Sequence, residues 1–90
     1  MKADEVAVQR RELASLKARN QAMARRIDQL ARSKSATERH TAQLRHQQQQ
    51  KLAQNIRKFE SDLDMGQLTA TQANARRLSL EREYNAIKEL

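Results

Sequence analysis

Ser33-Lys34-Ser35-Ala36-Thr37-Glu38 is the stretch that decides whether the chain begins with one long helix or with two. Its serines offer side-chain oxygens to free backbone N–H groups, and Ser35 followed three residues later by Glu38 has the spacing of a capping box. Extending the register of the preceding residues through it puts Lys34, Thr37 and Thr41 where apolar side chains belong. Both features argue for a break. Against them, neither Gly nor Pro is present to enforce a turn, since the only Gly is Gly66 and there is no Pro. The balance favours continuity, with a helix passing from residue 3 to 64 through a solvated, poorly packed stretch.

On the N-terminal side the periodicity is strong. With Val6 at position a, the heptad series places Val6, Leu13, Asn20 and Ile27 at a, and Gln9, Leu16, Met23 and Leu30 at d. Six of these eight are apolar, which is the pattern of a coiled-coil seam. Asp4 and Glu5 fall in the first turn, where the helix dipole favours negative charge. Asn20 at a is the type of residue that selects a parallel dimer and fixes its register, because its mate across the dimer axis can satisfy it; a chance polar interruption of the seam is the other reading.

On the C-terminal side the seam returns in a shifted register at Leu52, Ile56, Phe59 and Leu63, after a glutamine run at residues 47–50 that reads as a solvated helical face. Gly66 then stands where a left-handed residue ends a helix, and Thr69 with Gln72 caps the next one, with Leu68 just before the cap. Helical spacing resumes at Ala73, Arg77, Leu80, Tyr84 and Ile87, so this arm can lie antiparallel on the first, with small Ala73 opposite large Phe59. The expected architecture is all-α, with a basic coiled-coil helix over residues 1–43 and a helical hairpin over 44–90 that turns at 65–69. A continuous helix over 3–64 would be about 90 Å long and its return arm only about 30 Å. The N-terminal half then has no partner in its own chain, which implies self-association into a dimer or higher oligomer, or a helical protein partner.

The stretch from Leu63 to Gln72, Leu-Asp-Met-Gly-Gln-Leu-Thr-Ala-Thr-Gln, resembles the turn of the short C-terminal SHOCT type of helical hairpin, whose pattern is roughly Leu-Asp-x-Gly-x-Ile/Leu-Thr-x-x-Glu followed by a basic helix. The likeness covers residues 52–90 at most. Gln72 replaces the usual acidic residue, Ala73 a usual Phe, and Arg76-Arg77 stand where a Lys pair is common. The resemblance implies an oligomerisation or docking module without catalysis.

Composition narrows the function. With 38% hydrophobic residues, 2% aromatic and a mean hydropathy of −1.00, the chain cannot fill an ordinary globular interior and must bury its apolar groups in helix seams. Scarce Gly and absent Pro disfavour hairpins and phosphate-cradling loops. No stretch has the length of a membrane span or the form of a signal peptide, so the expectation is a soluble, intracellular protein, in the cytoplasm first and with the nucleus left open. His40 and His46 lie six residues apart, off the i, i+4 spacing of a helical metal site. Glu60, Asp62 and Asp64 lack a nucleophile or base and read as solvated charge. No catalytic group, metal, cofactor or small-molecule substrate is expected, and a kinase-type Arg76-Arg77-Leu78-Ser79 is a common chance tetrapeptide.

Charge is what remains. Residues 10–58 hold thirteen Lys and Arg against three Asp and Glu, and Arg25, Arg26, Arg32 and Arg39 are candidate contacts for phosphates or for an acidic partner. The reading that follows is a non-catalytic assembly or docking protein acting through its helical seam. The alternative is a basic helical protein that contacts nucleic-acid phosphates non-specifically; missing aromatics for base stacking count against it.

Overall fold

In the computed structural model, which describes residues 1–90, the chain does break at the serine-rich stretch. It forms α1 (Ala3–Ala31), α2 (Ala36–Asp64) and α3 (Ala70–Lys88), an all-α fold. The turn needs no glycine, because no residue in it takes a positive φ: Arg32 sits at φ −96, ψ 4 and Ser35 at φ −79, ψ 123. Backbone N–H groups of Arg32 and Ser33 donate to the Gln29 and Leu30 carbonyls at 3.2 and 3.1 Å. Ser35 Oγ accepts from the Glu38 N–H at 3.3 Å, and Ser33 Oγ accepts from the Ser35 N–H at 3.1 Å. Ser33 thus takes the role that the capping box gives to Glu38, and the Arg39 guanidinium closes the turn by donating to the Ser33 carbonyl at 2.8 Å.

The expected continuous helix is therefore corrected, and with it the projecting N-terminal half. Helix α1 folds back antiparallel on α2 and runs parallel to α3. Arg10 pairs with Asp64 and Lys17 with Glu60 across α1 and α2, while Arg19 reaches Glu81 on α3. The molecule measures 51 × 17 × 16 Å, close to the ~44 Å of a 29-residue helix. The seam residues Leu13, Leu16, Asn20, Met23 and Ile27 are buried within the chain, along with Gln9; Val6 and Leu30 are half-buried. Burial at roughly 1.5–3 kcal/mol per large aliphatic side chain favours folding back over a solvated rod. One apolar cluster joins Leu13 and Leu16 of α1, Leu52, Ile56, Phe59 and Leu63 of α2, and Ala73, Leu80, Tyr84 and Ile87 of α3. The boundary expected between residues 43 and 44 thus lies inside α2, and all three helices share one core.

The second turn follows its sequence. Gly66 has φ +69, its N–H donates to the Leu63 carbonyl at 3.1 Å, and Leu68 packs against the core. Thr69 Oγ1 accepts from the Gln72 N–H at 3.1 Å, while Gln72 Oε1 accepts from the Thr69 N–H at 3.0 Å, a complete capping box. Nothing lies within 4 Å of a Cβ built on Gly66, so substitution there strains only the backbone. Gly66→Val is expected to lower the unfolding free energy by about 1–2 kcal/mol, read by urea denaturation.

Asn20 is 3% exposed and its Oδ1 has no hydrogen-bond partner. The dimer mate that the sequence offered it has no place here, because the residue faces the chain's own core. An apolar side chain of similar size removes the desolvation cost, so Asn20→Leu is expected to raise stability by about 1–2 kcal/mol. Chemical denaturation reads the gain directly.

Candidate interaction surface

Elongation leaves much of the chain outside the core. The accessible surface is 6161 Å², against about 5400 Å² expected for a compact chain of this mass. How charge is distributed over that surface sets what it can attract. Residues 25–58 carry nine Lys and Arg against two Asp and Glu, and the remainder carries nine against nine. The whole net charge of +7 therefore lies on the last turns of α1, the first turn of chain and most of α2.

Ion pairing sharpens the division. The four salt bridges use Arg10, Lys17, Arg19 and Arg76 as their cations, all outside residues 25–58. Glu60, Asp62 and Asp64, expected as solvated charge, each meet a cation from a neighbouring helix: Lys17 at 3.3 Å, Arg76, and Arg10 at 2.7 Å. These carboxylates tie the Gly66 end together. At that end Arg76 also lies over the Phe59 ring at 4.9 Å, and Gln9 joins Asn74 and Arg77 of α3. Farther along, Arg19 and Lys88 flank Tyr84 at 5.3 and 5.5 Å.

The opposite end has no such neutralisation. Arg25, Arg26, Arg32 and Arg39, the predicted contact residues, are exposed and make no salt bridge, and Lys34 shares that condition; so do Lys51, farther along α2, and Arg57 and Lys58, within two turns of Asp64. Arg45 is half-buried and donates to the Leu90 backbone carbonyl. His40 and His46 are exposed among these cations, and no three His, Cys, Asp or Glu side chains come together anywhere in the chain. Arg76 and Arg77 of the kinase-type tetrapeptide are engaged by Asp62 and Gln9.

Beside the basic end runs a groove of about 480 Å³ between α2 and α3. Its α2 wall is Leu44, Gln48, Lys51 and Asn55, spaced so that they form one stripe of the helix. Its α3 wall is Glu83, Ala86, Ile87 and Leu90. Leu44 and Leu90 are 43% and 49% exposed, whereas Ile87 at 4% forms the floor. Sequence reasoning missed Leu44 and Leu90 as a pair, since a heptad search rewards residues that bury and passes over those that stay outside. A second, smaller hollow between Arg10 and Leu63 is spanned by the Arg10–Asp64 and Lys17–Glu60 pairs. No helix is long and apolar enough to cross a membrane. No protein-family model, curated protein or solved structure matches the chain.

Proposed function

We propose that this chain is a non-catalytic helical docking module, an assembly or scaffold component that binds a helical protein partner through the basic surface of residues 25–58. The observation that carries the reading is the distribution of charge: the four ion-paired cations all lie outside residues 25–58, while none of the nine Lys and Arg from Arg25 to Lys58 meets a carboxylate and that stretch holds the whole excess of +7. Unmatched cations on a helical frame repel one another until an acidic surface meets them, and they accelerate its approach. The α1 seam no longer calls for a second copy, because its apolar residues are covered within the chain. A partner therefore meets the outer surface.

The same cations could follow a phosphate backbone, which is the reading to set against this one. Phe59 and Tyr84, the only Phe, Trp or Tyr side chains, are buried, so neither of these rings is free to stack on an unpaired base. Binding of an acidic helical peptide and of duplex DNA, each titrated with salt, separates the two. We expect the peptide to bind the tighter at physiological salt and the quadruple variant Arg25→Gln, Arg26→Gln, Arg32→Gln, Arg39→Gln to weaken it by about ten-fold or more. Tighter duplex binding, with a log–log salt slope of several units, would replace this reading with the nucleic-acid one.

A further inference from the structure

We infer that the groove between α2 and α3 is the seat of an amphipathic, acidic α-helix of a partner protein, laid along the bundle so that its apolar stripe covers Leu44, Ala86, Ile87 and Leu90. The inference deepens the docking reading and rests on it: the basic surface supplies attraction, and the groove supplies the place and the orientation.

Two helices already form the walls, and a third laid between them would present side chains at i, i+3, i+4 and i+7 to the groove. Leu44 and Leu90 stand exposed on opposite rims with Ile87 between and below them, which is the profile of a slot for large aliphatic side chains. Charge selects the occupant. On the α2 wall Lys51 has no carboxylate partner, Lys58 continues the same stripe of the helix without one, and Arg45, next to Leu44, bonds only to backbone carbonyls. On the α3 wall the one carboxylate, Glu83, accepts from the Asn55 amide at 3.4 Å. A helix with Glu or Asp along the flank facing α2 meets cations without competing with an existing ion pair. A second copy of this chain would bring its own excess of +7 to the same surface, so self-association is disfavoured there. Desolvated aliphatic contacts at the centre with charge at the rim is the ordinary anatomy of a protein interface.

The probe is a helical peptide of about 20 residues with Leu at i, i+3, i+4 and i+7 and Glu on one flank, compared with a peptide of the same composition and charge whose Leu positions are scrambled. Fluorescence anisotropy with the full chain should show the amphipathic peptide binding about ten-fold or more tighter than the scrambled one. Leu44→Gln with Leu90→Gln should abolish that preference while leaving the thermal midpoint unchanged, because both side chains are exposed. A companion variant, Ala86→Trp, fills the groove without altering charge and should do the same. Equal binding of both peptides by the native chain would overturn the groove and leave the charge-driven docking reading standing. Binding of neither peptide would overturn both readings. A concentration-dependent rise in mass that Leu44→Gln abolishes would assign the groove to a second copy and overturn the acidic helix as its occupant.

Discussion

Phe59→Ala is expected to lower the unfolding free energy by about 3–5 kcal/mol. Its ring is fully buried at the level where all three helices meet, with Ala73 of α3 in the same cluster. The small alanine and the neighbouring backbone cannot move in to fill the space, because the Thr69–Gln72 capping box fixes the start of α3 just beside it. The guanidinium of Arg76 over the ring adds to the loss, by roughly 0.5–1 kcal/mol. A domain of this length is stable by about 5–13 kcal/mol in all, so the variant should be largely unfolded at temperatures where the native chain is intact. Thermal and urea melts followed by circular dichroism measure it. A change below about 1 kcal/mol would mean that the ring does not occupy the core.

Leu16→Asp should be at least as severe, and it separates two architectures. Leu16 is completely buried in the intramolecular core, where a carboxylate would be desolvated, so the variant chain should lose its helicity as a monomer. Had the same seam belonged to an interface between copies, the substitution would halve the mass and leave each hairpin folded. Sedimentation and circular dichroism on one sample distinguish these outcomes. A folded Leu16→Asp chain of reduced mass would relocate the seam to an interface.

How much of this was readable beforehand differs between the fold and the surface. The heptad assignment named Leu13, Leu16, Asn20, Met23 and Ile27, and those residues are buried. It could not name what they bury against, because an apolar stripe on a helix is satisfied equally by another molecule or by the next helix of the same chain. That choice rested on the turn at residues 32–35, whose backbone uses only negative φ values and so leaves none of the Gly or Pro signal by which turns are recognised. Its real marks were Ser33 and Ser35, two hydroxyls placed to satisfy the N–H groups of a new helix start. At Gly66 the reading was direct, since a positive φ demands a residue without Cβ and the sequence holds only one glycine.

The surface was legible in composition but not in pairing. The predicted cations Arg25, Arg26, Arg32 and Arg39 are exposed and unpaired, whereas Arg10 and Lys17, which belong to the same run of thirteen Lys and Arg over residues 10–58, are paired. Which of them meet carboxylates depends on the antiparallel register of α1 on α2, and it is that register which brings Asp64 to Arg10 and Glu60 to Lys17. The acidic triplet before Gly66 therefore works as a set of ties between helices, a role invisible while the N-terminal half had no neighbour.

The unequal helix lengths have a consequence for motion. Helix α3 has 19 residues against 29 in each of the others, so near Ser33 the chain is a hairpin only two helices thick. Ala42 and Ile27 are buried there with little above them, and the ion pairs all lie elsewhere. Local opening has a lower free-energy cost where fewer apolar contacts must part. Amide protons near residues 30–42 will thus exchange ahead of those around Phe59, and the end richest in unpaired positive charge is also the end that breathes first.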